Sequence, residues 1–162
     1  VVPMEEHVMK LRAAREAAGD APFLITARTD ARGPLGLEEA IRRGHAYREA
    51  GANVIFVEAP QDKREMQTIV RELGGALVLN NIEGGVTPIL SLDEVVELGY
   101  VSVGFVLTGL FAAARGMQRA FEHLLAHGDS HGIESDLMPF DEFTALLGLD
   151  EKYALDEKYK WQ

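Results

Sequence analysis

The chain has 162 residues, a hydrophobic fraction of 47%, a charged fraction of 26% and no cysteine. Its 16 basic and 26 acidic residues give a formal net charge of −10, which argues against a nucleic-acid partner because no basic stripe is available to neutralise phosphates. The lack of cysteine excludes a disulfide scaffold, a Cys-ligated zinc site and a Cys nucleophile within this sequence. No apolar run reaches the roughly 18 residues of a membrane span, so we expect a soluble cytoplasmic protein.

Apolar periodicity and turn residues predict an alternation of strands and helices. Short β-branched or aromatic runs between turn residues are typical of buried strands, and apolar residues at helical spacing are typical of helices. In chain order we predict a helix over Pro3–Ala18, strand Phe23–Ala27, helix Leu37–Ala50, strand Asn53–Val57, helix Lys63–Leu73, strand Ala76–Leu79, a helix capped by Ser91 and ending at Leu98, strand Tyr100–Val106, helix Thr108–His127, and short helices Phe140–Leu147 and Glu151–Tyr159.

The pattern of these elements indicates an α/β fold. The predicted strands are almost continuously apolar, which is typical of a parallel sheet covered on both faces. Repeated strand–helix units then predict either a doubly wound sheet or a (β/α)₈ barrel. No G-x-G-x-x-G or G-x-x-x-x-G-K-[ST] motif follows any predicted strand, and a nucleotide-binding interpretation therefore loses support.

An arginine directly follows the first predicted strand. Arg28 comes after the apolar run Phe23–Ala27, at the strand end where α/β folds collect their reactive groups. Its planar guanidinium suits bidentate binding of a carboxylate or phosphate. Two uses stay open: Arg28 binds an anionic ligand, or it forms a salt bridge with Asp30 or Glu58.

Polar residues also follow the second and third predicted strands. Glu58 follows Asn53–Val57. Three uses of its carboxyl group stay open: an acid that protonates an enolate, a group that orients the enolate, or an ion-pair partner. Asn80 and Asn81 follow the third strand. An amide can bind a carboxylate or enolate oxygen without adding charge, whereas an Asn near a glycine-containing turn often caps that turn. We expect one of the two asparagines to have the capping role.

One pair of histidines has a spacing that can hold a metal ion. His123 and His127 are four residues apart on the predicted long helix. They lie in its last turns, where a protonated His is favoured by the helix dipole, and no carboxylate occupies a matching third position. We therefore assign no metal ligand within this chain.

Three segments together resemble one enzyme family. They are ITARTDARG at Ile25–Gly33, the run Gly36–Pro60 that ends in NVIFVEAP, and LVLNNIEGGVTP at Leu77–Pro88. The sequence resembles the isocitrate lyase/phosphoenolpyruvate mutase superfamily, and within it the methylisocitrate lyase, dimethylmalate lyase and carboxyvinyl-carboxyphosphonate phosphorylmutase branches. The resemblance extends from about residue 2 to residue 127 and includes the tail Phe140–Tyr159.

This resemblance implies a (β/α)₈ TIM barrel of which the chain holds only strands five to eight, their helices and a C-terminal helical tail. A complete barrel takes about 250 residues, so we expect half a barrel, cut on its N-terminal side. Residues 1–127 would form this half, and residues 128–162 would form a loop and the C-terminal helices. Family members exchange their last helices between subunits, which implies a homodimer or homotetramer.

The resemblance also implies roles for four residues. The position of Arg28 binds a substrate carboxylate and is catalytic, that of Glu58 is catalytic in handling protons or the leaving acid, and that of Asn80 contacts the substrate. Glu83, with Thr87, matches the family's loop motif and is expected to support substrate binding. The presence of both Glu58 and Asn80 favours a carbon–carbon lyase over a phosphonomutase.

The implied cofactor is Mg²⁺, which in the family holds a pyruvate-like fragment. The family's metal-binding carboxylates and its Cys-containing gating loop lie on earlier strands and do not occur in this sequence, so we expect this chain alone to be inactive. At the fourth strand the chain has Phe105, Val106 and Leu107, where the family often has Tyr-Pro-Leu. Because the proline is missing, the family's local backbone conformation and substrate specificity are not carried over to this segment.

Two classes of function follow as hypotheses. The first is a Mg²⁺-dependent lyase that cleaves a 2-hydroxy di- or tricarboxylate, such as 2-methylisocitrate or 2,3-dimethylmalate, to a 2-oxo acid and a carboxylate. Oxaloacetate decarboxylation and phosphonopyruvate or phosphoenolpyruvate-mutase chemistry are its near alternatives. The second is a catalytically inactive half-barrel that acts as an assembly module, because four strand–helix units leave two open sheet edges.

Overall fold

A computed structural model of the chain describes residues 1–161. It contains four strands and eight α-helices within that range, with one short 3₁₀ helix at Glu134–Asp136. The strands are β1 (Thr26–Thr29), β2 (Val54–Val57), β3 (Ala76–Asn81) and β4 (Ser102–Phe105). The helices are α1 (Met4–Ala18), α2 (Arg32–Leu35), α3 (Leu37–Glu49), α4 (Lys63–Leu73), α5 (Leu92–Leu98), α6 (Thr108–His127), α7 (Phe140–Leu146) and α8 (Leu149–Tyr159).

The four strands form one parallel sheet in the order β1-β2-β3-β4, which confirms the predicted α/β class. The first strand is displaced from its predicted position over Phe23–Ala27. Phe23 and Leu24 are 63% and 72% exposed, and β1 begins only at Thr26. The register with β2, in which Thr26 lies opposite Val54, fixes this start. Pairing with a neighbouring strand has therefore overridden local apolarity.

One face of the sheet is packed under helices. Ile55 of β2, Leu77 of β3, and Met66 and Ile69 of α4 are at most 1% exposed and belong to one core cluster. Full burial of a side chain of this size contributes about 1.5–3 kcal/mol relative to leaving it exposed. These contacts fix the helix layer against the sheet, and with it the loops that leave the C-terminal strand ends.

The opposite face of the sheet is more open. Along β1 the buried residues alternate with exposed Thr26 and Arg28. Along β2 they alternate with half-buried Val54 and Phe56. Because successive side chains of a strand point to opposite faces, this open face carries every second residue and continues to Glu58 beyond β2. It is the face on which the polar strand-end residues lie.

By its contacts the chain divides into two compact units. The first is Val1–Leu110, which holds the whole sheet, and the second begins at Phe111. The second unit contains most of α6 and the helices α7 and α8. Within residues 1–161, no helix combines the length and apolarity needed to cross a membrane.

Candidate active site

Strand register brings three of the predicted site residues into one row. Arg28 lies opposite Phe56 in β1–β2 pairing, Glu58 directly follows β2, and Asn80 lies opposite Gly104 in β3–β4 pairing. Arg28 and Asn80 therefore belong to their strands and do not follow them, because β1 and β3 extend further than the apolar runs. All three side chains lie on the open face at its C-terminal edge.

Arg28 contacts carboxylates on two sides. Its Nε and Nη2 donate to the two oxygens of Asp30 at 2.7 and 3.0 Å, and Nη2 lies 3.0 Å from Glu58 Oε2. The guanidinium also sits over the ring of Phe56, 5.0 Å from its centroid. Both partners considered for a salt bridge are thus engaged. The hydrogen bonds with Asp30 raise the pKa of Arg28 and lower that of the Asp30 carboxyl.

Glu58 links the arginine to the amide of Asn80. Its side chain is 19% exposed, and Asn80 Nδ2 donates to Glu58 Oε2 over 3.5 Å, a long hydrogen bond. Arg28 is 49% exposed, and its Nη1 has no hydrogen-bond partner within residues 1–161. The row therefore offers an anionic ligand a free guanidinium donor, a neighbouring carboxyl group and a neutral amide.

The neighbouring Asn81 has a different role. It is 0% exposed, its Nδ2 donates to the carbonyl of Leu90 at 2.7 Å, and its Oδ1 accepts from the N–H of Leu90 at 3.2 Å. This reciprocal pair closes the loop between β3 and α5. The sequence predicts that one of the two asparagines caps the following turn; Asn81 instead bridges the two ends of the whole loop through Leu90.

Glu83 makes its contact with a different element. Thr108, the first residue of α6, donates its hydroxyl to Glu83 Oε1, and this hydrogen bond lowers the pKa of the Glu83 carboxyl. Within residues 1–161, no hydrogen bond or ion pair joins Glu83 to Arg28, Glu58 or Asn80. The bond to Thr108 escaped sequence analysis, since a Thr at a helix start is ordinarily a helix-capping residue.

The described residues do not by themselves fit a Mg²⁺ site. Within residues 1–161, no group of three or more His, Cys, Asp and Glu side chains is arranged to hold a metal ion. Asp30 and Glu58, the carboxylates of the row, are already paired with Arg28, whereas Mg²⁺ is held by free oxygen ligands. His123 and His127 stack on each other with ring centroids 4.3 Å apart.

A guanidinium, a carboxyl and an amide lie side by side at the C-terminal edge of the parallel sheet, which is the edge where α/β proteins build their sites from strand ends. A family model described as phosphoenolpyruvate phosphomutase matches residues 1–125. The chain therefore belongs to this family, within the phosphoenolpyruvate mutase/isocitrate lyase superfamily. The predicted family membership is confirmed.

Several curated proteins are similar to this chain. The petal death protein of Dianthus caryophyllus is 41% identical over 160 residues, which is 99% of this chain and 50% of that protein. The 2,3-dimethylmalate lyase of Eubacterium barkeri is 35% identical over 98% of this chain and 55% of its own length. Other relatives are 2-methylisocitrate lyases and a carboxyvinyl-carboxyphosphonate phosphorylmutase.

The same likeness holds among solved structures. Oxaloacetate acetylhydrolase in complex with 3,3-difluorooxalacetate superimposes with a TM-score of 0.88 at 28% identity, over 100% of this chain and 55% of the other. The chain spans about half the length of the curated relatives it matches. It is thus similar to one continuous half of enzymes in a lyase and mutase superfamily.

Proposed function

We propose that the chain supplies the carboxylate-binding half of the active site of a carbon–carbon lyase that acts on a 2-hydroxy di- or tricarboxylate. The observation that carries this proposal is the contact row of Arg28, Glu58 and Asn80 on adjacent strands. Relatives named as 2,3-dimethylmalate lyase and 2-methylisocitrate lyase support the reaction class.

In this proposal the sheet is half of a (β/α)₈ barrel and its strands are strands five to eight. The relatives are about twice as long as the matched segment. β1 and β4 each have only one neighbour in the sheet, and the open face carries half-buried apolar residues such as Val54 and Phe56. Four further strands would pair with both edges and cover this face, as the closed sheet of a barrel requires.

The row suits the charge changes of such a cleavage. A base removes the hydroxyl proton, the bond between the hydroxyl-bearing carbon and its neighbour breaks, and its electron pair passes to the carbon that carries the second carboxylate. Charge then accumulates on that carboxylate, where Arg28 binds it and the Asn80 amide donates to it. Glu58 holds the guanidinium in place and would deliver the proton that the new carbanion takes up.

Mg²⁺ and the base that starts the reaction are proposed to be held by residues outside this chain. When bound, Mg²⁺ would polarise the oxo group of the departing 2-oxo acid. Since the described residues do not fit a metal site, nothing in the role of Arg28, Glu58 and Asn80 depends on direct contact with the ion. The expectation that the chain alone is inactive follows from this division and stays a prediction.

A second candidate reaction is the cleavage of oxaloacetate. The structural likeness to oxaloacetate acetylhydrolase is as close as that to 2,3-dimethylmalate lyase, with TM-scores of 0.88 for each. In such a reaction water adds to the 2-oxo carbon, the bond from that carbon to the CH2 carbon breaks, and the CH2 carbon takes up a proton, which gives oxalate and acetate. The same Arg28 would bind a carboxylate of the substrate. The alternative of an inactive assembly module rests on the open edges of β1 and β4, which favour pairing with another copy.

An oligomer is proposed for the natural protein. In the second unit, Phe140, Leu146 and Tyr159 are 83%, 71% and 73% exposed. Large apolar side chains that are exposed together favour burial against another chain. Light scattering of the natural full-length protein should give a dimer or tetramer, and a monomer at micromolar concentration would overturn this proposal.

The proposed reaction is tested by offering three substrates to the natural full-length protein with Mg²⁺. Release of 2-oxo acid from 2,3-dimethylmalate or 2-methylisocitrate, measured by a coupled dehydrogenase, is the expected result. Oxalate formation from oxaloacetate with no cleavage of either hydroxy acid would replace the lyase by the hydrolase. No turnover of any of the three, in a protein that assembles through its sheet edges, would favour the assembly module.

A further inference from the structure

A glycine faces the amide of the proposed site. Gly104 of β4 is paired with Asn80 of β3, and a Cβ built on Gly104 would lie 2.9 Å from Asn80 Oδ1 and 3.0 Å from Val106 Cγ1. The φ angle of Gly104 is not positive, so the backbone conformation does not require glycine here. What the position requires is space beside Asn80.

Glycine in a strand is ordinarily unfavourable. It weakens a strand relative to alanine because it loses more conformational freedom on folding, and it often marks a close approach of another group. Gly104 lies on the open face of the sheet, and the atoms that a Cβ built there would meet within 4 Å are Asn80 Oδ1 and Val106 Cγ1. The group that approaches it is the amide of Asn80.

The amide of Asn80 is held between two neighbours. On the side away from Gly104, its Nδ2 reaches Glu58 Oε2 over 3.5 Å. An alanine Cβ at 2.9 Å from Oδ1 is closer than real Cβ contacts come, so one group must shift. The end of the Asn80 side chain can rotate, whereas the two paired strands cannot move apart without losing backbone hydrogen bonds. The amide would therefore move.

We propose that Gly104 is a positioning residue for Asn80, because its missing side chain lets the amide reach both Glu58 and the substrate. This rests on the proposed function in so far as Asn80 contacts the substrate. Replacing Gly104 by Ala leaves the fold intact and displaces the amide by a few tenths of an ångström or more. A misplacement of about 1 Å in a catalytic site can lower the rate about a hundredfold, so we expect this smaller shift to lower kcat/KM about tenfold or more.

The test is a set of variants of the natural full-length protein assayed with the hydroxy acid that it cleaves. Gly104→Ala should lower kcat/KM about tenfold or more and leave the urea midpoint close to that of the parent. In an Asn80→Ala background the same change should have no further effect on kcat/KM, because the atom that it meets is gone. Ser102→Ala, on the same face of β4 but away from Asn80, is the matched control and should keep parental activity.

Val106 provides the discriminating comparison. In a Val106→Ala background, Gly104→Ala no longer meets Cγ1 but still meets Asn80 Oδ1. Persistence of the loss there supports the proposal, whereas recovery of kcat/KM would assign the effect to packing and overturn it. Failure of Gly104→Ala to fold, both alone and with Val106→Ala, would also overturn it, because the amide is required to absorb the shift.

The proposal can fail separately from the proposed function. If Asn80→Ala keeps full kcat/KM, the role of Asn80 in the site is wrong. If Asn80→Ala is impaired and Gly104→Ala is not, only the positioning role of Gly104 is wrong. A crystal structure of the Gly104→Ala variant tests the positioning role without an activity assay. The distance between Asn80 Nδ2 and Glu58 Oε2 should lengthen beyond 3.5 Å, and an unchanged position of the amide would contradict the proposal.

Discussion

The two neighbouring asparagines of β3 should respond to alanine substitution in opposite ways. Asn81 is 0% exposed and pairs with both backbone groups of Leu90, which is itself 2% exposed. Asn81→Ala leaves a buried N–H and a buried C=O without partners, and each costs about 1–3 kcal/mol. Because water can enter the space left by the amide, we expect a loss of about 2–4 kcal/mol in the free energy of unfolding.

Asn80 lies one residue earlier on the open face. Its hydrogen-bond partner in the row, Glu58, is 3.5 Å away and 19% exposed, so solvent replaces the lost hydrogen bond readily. Asn80→Ala should therefore cost less than about 1 kcal/mol in unfolding free energy. The Asn80 amide is, however, a proposed hydrogen-bond donor to the charge that develops on the substrate. Its removal should therefore lower kcat about a hundredfold, the usual effect of losing one such donor.

Urea unfolding and steady-state kinetics of the two variants, made in the natural full-length protein, check both expectations. Each variant serves as the control for the other, since the residue type and the sequence position are nearly the same. Equal destabilisation by both changes would show that the two faces of β3 are not distinct. A fully active Asn80→Ala variant would refute the role of the amide.

Two further predictions concern residues that follow the C-terminal ends of β1 and β2. Ala59, directly after Glu58, has a φ angle of +62°. Ala59→Gly should raise the free energy of unfolding by a few tenths of a kcal/mol, because relief of about 1 kcal/mol of backbone strain exceeds the entropy that Gly adds to the unfolded chain. Ala52→Gly, at a position where φ is not positive, should lower the free energy of unfolding. Hydrogen bonds from Arg32 lower the pKa of Glu65, and the side chains are 14% and 18% exposed. The pair therefore stabilises the fold above the unfolded carboxyl pKa of about 4.3 and loses this contribution as pH falls through the lower folded value. Glu65→Gln should lower the urea midpoint at neutral pH, with the difference from the parent shrinking below about pH 4; a constant difference across pH would contradict the ion pair.

Helices with strong local signals could be placed closely from the sequence. α4 and α6 have the predicted bounds, and the capping box of Ser91 and Glu94 opens α5 as predicted. In α4 the start is set by Asp62, whose side chain accepts from Glu65 N–H, and the end by Gly74. Such signals lie within a few residues of the element they define, so the sequence contains them in full.

The strands and the contacts of the site depend on residues far apart in the chain. The start of β1 is set by pairing with β2, which is why the apolar Phe23 and Leu24 lie outside it. The approach of Arg28, Glu58 and Asn80 could be predicted from their positions at parallel strand ends. The space at Gly104 could not, because it depends on the register between β3 and β4 and on the rotamer of one side chain.

The most direct test of the proposed site is Arg28→Lys in the natural full-length protein, measured as kcat/KM for release of 2-oxo acid from its hydroxy acid. Lysine keeps the charge but loses the planar fork that contacts Asp30 and Glu58. We predict a fall of at least about a hundredfold with little change in urea midpoint, while Arg42→Lys, in an exposed pair with Glu39 on α3, stays at the parental value. A parental kcat/KM for Arg28→Lys would contradict the assignment of this row as the carboxylate-binding half of the active site.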